Sequence, residues 1–170
     1  MYDEGIGVPQ NYAEAVKWYR MAAEQGHAPA QFNLGNMYDK GLGVPENDTE
    51  AVKWFRMAAE QGLADAQFNL GVMYREGTGV PENDTEVVKW SRKAAEQGNV
   101  GAQYNLGFMY GKGEGVPVNN VRAYMWWSLA KAQGSESAAT NLDIVKKRMT
   151  PADISKAQAL ASEWWEEHNN

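Results

Sequence analysis

The chain has 170 residues, of which 44% are hydrophobic, and it carries a formal net charge of −6. The acidic balance argues against a nucleic-acid partner, because phosphate binding requires clustered lysine and arginine, and without a run of 18 apolar residues no membrane insertion is expected. The absence of cysteine excludes a disulfide framework, and two histidines cannot supply a histidine-rich zinc site.

A repeat of 36 residues runs through the chain. One tryptophan recurs at this interval, as Trp18, Trp54, Trp90 and Trp126. Residues 27–62 and 63–98 align without gaps, and 27 of their 36 positions are identical, which chance does not produce. A fixed period of this size indicates a helical repeat array, in which each unit packs on its neighbours. We expect a single repeat domain over residues 1–170, with a third full repeat at 99–134.

The first repeat, residues 1–26, is partial. Residues 1–5 align with residues 37–41, so we expect them to correspond to the last turn of a first helix. The second helix, predicted over about residues 12–25, then lacks its partner, which leaves Trp18 and its neighbours uncovered. Because terminal repeats usually need a polar cap, one hypothesis is a homo-oligomer formed through this N-terminal end.

The first helix of a full repeat is clearest over residues 64–76. Ala66, Leu70 and Tyr74 recur at i, i+4 and i+8 and predict a buried apolar stripe. Gly77 can adopt the positive φ of a helix C-terminal cap, and the Val-Pro pair that follows prevents the helix from continuing.

The second helix of each repeat follows an asparagine. Asn47 precedes Glu50 by three residues, which is the pairing of a capping box with Asn in place of Ser or Thr, and the pair recurs in neighbouring repeats. Val87, Trp90 and Ala94 then predict one apolar face. Small residues on both helices would let them approach closely.

The repeat pattern decays towards the C-terminus. Residues 135–149 are a degenerate repeat, and residues 151–167 are predicted to form a C-terminal capping helix. Thr150 is its N-cap and Asp153 stands at position N3.

Together these residues resemble the Sel1-like repeat, a relative of the tetratricopeptide repeat. The pattern reads A-x-x-x-L-G-x-x-Y-x-x-G-x-G-V-P from Ala66 to Pro81 and W-x-x-x-A-A-x-x-G from Trp90 to Gly98. The resemblance covers roughly residues 1–149 and implies an all-α fold, a right-handed α/α superhelical solenoid. It also implies a bacterial scaffold that holds protein complexes together, with no common catalytic activity. The compartment, bacterial cytoplasm or periplasm, stays open.

In helical repeat arrays the first helices line the concave face, so binding positions are expected beside the core stripe. Asparagine amides donate and accept hydrogen bonds and match an extended peptide, and an aromatic row offers apolar area. By analogy with tetratricopeptide repeats, the predicted peptide-binding groove consists of Phe32, Asn33, Asn36, Phe68, Asn69, Val72, Arg75, Tyr104, Asn105, Phe108 and Lys112. Asn141 continues the asparagine row, and Asp39, Lys40 and Glu76 would contribute specificity.

Binding of a protein or an extended peptide in this groove, without a cofactor, is the preferred function. Alternatively, the asparagines bond the backbone of neighbouring repeats, or exposed aromatics such as Trp127, Trp164 and Trp165 bind a glycan or another small ligand. An enzyme is not expected, because no acid–base pair is evident. The S-x-x-K pattern from Ser128 to Lys131 lacks the S-D-N and K-T-G elements that accompany it in penicillin-recognising enzymes.

Overall fold

A computed structural model describes residues 11–168, which form α-helices joined by turns, with no strand among them. The chain packs as two compact units that divide between Asn83 and Asp84. The first unit contains α1 (Tyr12–Glu24), α2 (Ala28–Asp39), α3 (Asp48–Glu60) and α4 (Ala64–Glu76). The second contains α5 (Asp84–Glu96), α6 (Val100–Lys112), α7 (Asn120–Ala132), α8 (Glu136–Lys146) and α9 (Pro151–His168). The prediction of an all-α helical repeat is thus confirmed. The residues aligned with the last turn of a first helix, 1–5, lie outside the described range.

Asparagine caps start the second helices α1, α3 and α7, as predicted. Asn47 Oδ1 accepts a hydrogen bond from Glu50 N at 3.0 Å, and the same bond begins α1 and α7. The reciprocal half of the capping box does not form at α3, because Asn47 N donates to the Tyr38 carbonyl oxygen at 2.9 Å. The Glu50 carboxylate lies instead 3.5 Å from Lys53 Nζ. Asn47 and Asn119 therefore each cap their own helix and also bind the end of the preceding one.

Alanine and leucine side chains form the buried contacts between helices. Ala66 and Leu70 of the predicted first-helix stripe are completely buried, and Val87, Trp90 and Ala94 of the predicted second-helix face are buried as well. The small side chains allow close approach of the helices.

Tyr74, the third residue of the predicted stripe, is only half-buried, and the neighbouring Met73 occupies the core instead. At this position the phenol group finds a hydrogen-bond partner. Tyr74 OH accepts from Arg56 Nη2 at 2.6 Å, and Tyr38 OH accepts from Arg20 Nη2 at 2.5 Å. The tyrosine row therefore joins consecutive helices at the edge of the core.

Two first-helix glycines make room for a large ring on the following second helix. A Cβ atom at Gly35 would lie 2.7 Å from the ring of Phe55, and one at Gly107 would lie 2.7 Å from the indole of Trp127. Both rings are buried. The glycine position therefore sets how closely the two helices of a repeat can pack.

The two glycines after α4, Gly77 and Gly79, have different structural roles. Gly77 ends the helix in the left-handed conformation with φ +67°, which confirms the predicted cap. Gly79 has φ +68°, and a Cβ atom there would lie 2.5 Å from the Asp48 carbonyl oxygen. The second glycine therefore lets the turn after α4 pass closely over the beginning of α3.

Candidate functional site

The predicted groove positions lie on the first helices and keep accessible surface. α2 and α4 carry those of the first unit, and α6 carries those of the second. Arg75 and Lys112 are exposed, and the remaining predicted groove residues are half-buried. Leu34, Leu70 and Leu106, the leucines of the core stripe, are completely buried. The predicted groove residues are therefore more accessible than the leucines of the core stripe on the same helices.

In the first unit, residues of α2 and α4 line a cleft of about 310 Å³. Its lining includes Asn36, Asp39, Lys40, Phe55, Asn69, Val72 and Glu76. Three of the predicted groove residues, Asn36, Asn69 and Val72, thus lie around one cavity. The buried ring of Phe55 and the buried side chain of Met73 add apolar surface to it.

The asparagine row differs along the chain in its hydrogen bonding. Among residues 11–168, the side chains of Asn33, Asn69 and Asn105 form no hydrogen bond with another protein group. Asn141 in α8 donates from Nδ2 to Tyr104 OH at 3.4 Å. Asn141 therefore contacts the neighbouring first helix through a side chain, and within the described part of the chain none of these four asparagine side chains bonds the backbone of a neighbouring repeat.

The aromatic row is partly used in packing. The Phe32 and Phe55 rings have centroids 5.8 Å apart at an interplanar angle of 46°. The Tyr104 carbonyl oxygen accepts a hydrogen bond from Trp127 Nε1 at 3.1 Å. Since Phe32 and Tyr104 are half-buried, each presents only part of its surface to a ligand.

The charged groove residues have partners of their own. Arg75 Nη2 lies 3.6 Å from Glu76 Oε1, and Lys112 Nζ lies 5.9 Å from the centroid of the Phe108 ring. These are exposed, weak interactions. A ligand could therefore replace these two interactions with little loss of free energy.

Asp39 has the most perturbed environment in the cleft. Burial raises the pKa of its carboxyl above the ordinary value of 3.8, and the carboxylates of Asp48 and Glu76 raise it further, while Lys40 lowers it. Within the described range the Asp39 side chain has neither a hydrogen bond nor an ion pair. The cleft thus contains a partly desolvated carboxylate that forms no direct ion pair, although the charge of Lys40 lies near it.

A row of buried glutamines, Gln31, Gln67 and Gln103, was missed in the sequence analysis. Gln31 Nε2 donates to the Ala23 carbonyl oxygen at 3.1 Å, and its Oε1 accepts from Gln61 Nε2 at 2.6 Å. In the second unit Gln103 donates to the backbone of α5 at 3.3 Å and accepts from Gln133 at 2.9 Å. The signal was available, because both glutamines of each pair recur every 36 residues. These residues hold the helices together and are not binding candidates.

The expectation that three tryptophans are available for a glycan is wrong for two of them. Trp127 and Trp164 are only 6% and 9% exposed, because each packs into the second unit. Trp165, at 40% exposure, is the accessible one of the three. The single ring does not form the extended aromatic surface that this alternative requires.

Residues 11–168 contain neither a metal-binding cluster nor a membrane-spanning helix. No group of three or more His, Asp or Glu side chains is arranged to hold a metal ion. No helix in this range is long and apolar enough to cross a membrane.

The architecture is shared with proteins of known structure. A Sel1 repeat protein from Oxalobacter formigenes superposes with a TM-score of 0.82 at 39% sequence identity, over 99% of this chain and 70% of that one. A protective antigen present in uropathogenic Escherichia coli strains, which displays an SLR fold, superposes with a TM-score of 0.68 at 30% identity, over 98% of this chain and 44% of that one. A search of curated proteins gave no match.

The family model for the Sel1 repeat matches four consecutive segments of the chain. The matched segments are residues 1–27, 28–63, 64–99 and 100–135. They cover most of the chain and coincide with the 36-residue period. With its helices arranged as an all-α repeat solenoid, the chain belongs to the Sel1 repeat family.

Proposed function

We propose that the chain is a non-enzymatic scaffold that binds an extended segment of a partner protein on the groove surface of its first helices. The Sel1 repeat fold commonly mediates protein–protein interaction, and the family is generally non-catalytic. Within that general role, the groove residues named above are our candidates for the binding surface.

The observation that carries this proposal is the set of unbonded amides at Asn33, Asn69 and Asn105. They recur at the same position of α2, α4 and α6 and are half-buried, yet no protein group in the described range satisfies them. An amide offers both a donor and an acceptor to a peptide bond. Since these half-buried side chains keep accessible surface, their donors and acceptors are open to a ligand that supplies main-chain partners.

The test is selection of peptides from a random display library by the full chain. The wild type and the Asn33→Ala/Asn69→Ala/Asn105→Ala variant would be panned in parallel, after circular dichroism confirms that the variant keeps its helices. We expect the wild type to enrich a peptide family and the variant to lose it.

A matched control changes three exposed residues of the second helices, Glu24→Gln/Glu60→Gln/Glu96→Gln. These positions also repeat every 36 residues, but they are exposed on α1, α3 and α5 and do not belong to the first helices. The control should select the same peptides as the wild type. If the asparagine variant also selects them, the asparagine row does not bind ligands and the proposal is wrong.

Self-association through α1 is a second candidate. Trp18 is 54% exposed, whereas Trp54 at the same repeat position is buried, and Met21 beside it is 53% exposed. Sedimentation velocity over a wide concentration range should then show a mass that rises with concentration and falls back in Trp18→Gln. Trp165→Gln, at another exposed tryptophan, serves as the control. A constant monomeric mass in the wild type would reject this candidate.

A further inference from the structure

The cleft between α2 and α4 has a specific chemical character that goes beyond a surface for main-chain binding. It combines an unpaired carboxylate at Asp39, two amides at Asn36 and Asn69, and apolar surface from Phe55 and Val72. We propose that this cleft receives a lysine or arginine side chain of the partner segment, with Asp39 as its counter-ion. The inference rests on the proposed scaffold function and names the chemistry of the partner.

Charge complementarity is the first argument. Asp39 is partly buried and lies near the carboxylates of Asp48 and Glu76, and these surroundings all disfavour its ionised form. Lys40 acts in the opposite sense but forms no ion pair with Asp39. A cation from outside would offset the repulsion that Asp48 and Glu76 exert on Asp39. The net charge of −6 would also favour the approach of a basic segment.

The shape and polarity of the cleft provide the second argument. A long basic side chain carries its charge on an aliphatic stem, which buries well against apolar surface. Phe55 and Val72 supply such surface in a cavity of about 310 Å³, while Asn36 and Asn69 stand at its wall as donors and acceptors. An acidic or purely apolar side chain would leave Asp39 unpaired in a less hydrated site, which is unfavourable.

The repeat itself offers a precise variant. Position 39 corresponds to Arg75 one repeat later, where a basic residue occupies the last turn of α4 without breaking the helix. Asp39→Arg therefore introduces a side chain that this frame already accepts. It reverses the charge of the cleft without altering Asn33, Asn69 or Asn105.

The experiment pans one random peptide display library against the wild-type chain, Asp39→Arg and the control Glu60→Gln. Wild type and control should select peptides with lysine or arginine at one fixed position, and Asp39→Arg should select aspartate or glutamate there. A synthetic wild-type peptide should then bind Asp39→Asn roughly tenfold more weakly than wild type. Replacing the basic residue of the peptide with methionine should weaken its binding to the wild type by a similar factor. The same replacement should weaken its binding to Asp39→Asn much less.

The outcomes separate this inference from the scaffold function. Peptides that depend on the asparagine row but show no basic position would overturn the inference and leave the scaffold function standing. Selection of the same basic motif by wild type and a folded Asp39→Arg would overturn it as well. If Asp39→Arg fails to fold, equal affinity of the synthetic peptide for wild type and Asp39→Asn would also overturn the inference. If the wild type enriches no peptide at all, both proposals fail.

Discussion

Gln61 Nε2 donates a hydrogen bond to Gln31 Oε1 at 2.6 Å, and Gln31 Nε2 donates in turn to the Ala23 carbonyl oxygen at 3.1 Å. Gln61 follows α3, Gln31 lies in α2 and Ala23 lies near the end of α1, so one side chain links three helices. Because Gln31 is only 1% exposed, water cannot replace either bond. This connection holds consecutive repeats in register.

Replacing the central glutamine should therefore cost more than replacing the outer one. Gln31→Leu leaves the Ala23 carbonyl group without its bond and should lower the free energy of unfolding by about 1–3 kcal/mol. Gln61→Ala removes an exposed partner and should cost less than about 1 kcal/mol. Urea denaturation followed by circular dichroism measures both. An equal loss in the two variants would contradict the assigned role of Gln31.

Gly35→Ala should destabilise the first unit through its contact with Phe55. The added methyl group would lie 2.7 Å from the ring, and overpacking of this kind costs about 1–3 kcal/mol. Ser91 occupies the position equivalent to Phe55 in the next repeat. In a Phe55→Ser background, Gly35→Ala should therefore have little further effect. Thermal unfolding of the four proteins in this cycle tests the coupling, and additive losses would contradict it.

Asp39→Asn should stabilise the chain at neutral pH. Burial is the main cause of the raised pKa of Asp39, and its place in the last turn of α2 adds an unfavourable interaction with the helix dipole. The folded chain therefore binds this proton more tightly than the unfolded chain does. Wild-type stability from this group is highest below the ordinary pKa of 3.8 and falls as the pH rises through the folded pKa.

At pH 7 the Asp39→Asn variant should gain ~0.5 kcal/mol, since solvent screens much of the effect, and near pH 3 the difference should disappear. Urea denaturation at both pH values is the measurement. A variant less stable than wild type at pH 7 would show that Asp39 makes a favourable contact in the folded chain.

Asp153 should show the opposite pH dependence. Thr150 Oγ1 donates to Asp153 Oδ2 at 2.7 Å, and Asp153 N donates to Thr150 Oγ1 at 3.2 Å. The hydrogen bonds from Thr150 lower the pKa of the Asp153 carboxyl below 3.8. The stabilisation of α9 by this cap is thus present when the pH is above the ordinary pKa. It is lost as the pH falls through the lowered pKa of the folded chain. NMR titration of the Asp153 carboxyl should show its pKa rise in Thr150→Ala, whereas no change would mean that the cap does not form in solution.

Much of the fold was predictable because the repeat copies local signals along the chain. The asparagine before each second helix, the positive-φ glycine after α4 and the spacing of Leu70 and Ala66 are each short-range patterns, and helix formation depends mainly on such patterns. The same period separated the core positions of the first helices from the accessible positions that we predict to form the groove. The glutamine pairs also recur with this period, but their hydrogen bonds join residues 30 positions apart. Spacing alone does not reveal such a contact between side chains.

The sequence by itself determined the all-α repeat, the ends of its helices and which face of each first helix is buried, because these follow from local propensity and from the period. Only the tertiary structure decided that Met73 rather than Tyr74 enters the core, that Trp127 and Trp164 are buried, and that Asp39 shares a cleft with Asn69. These outcomes depend on which side chains meet across helices and on how much water they exclude. That balance of packing, hydrogen bonding and desolvation exists only once the helices are assembled.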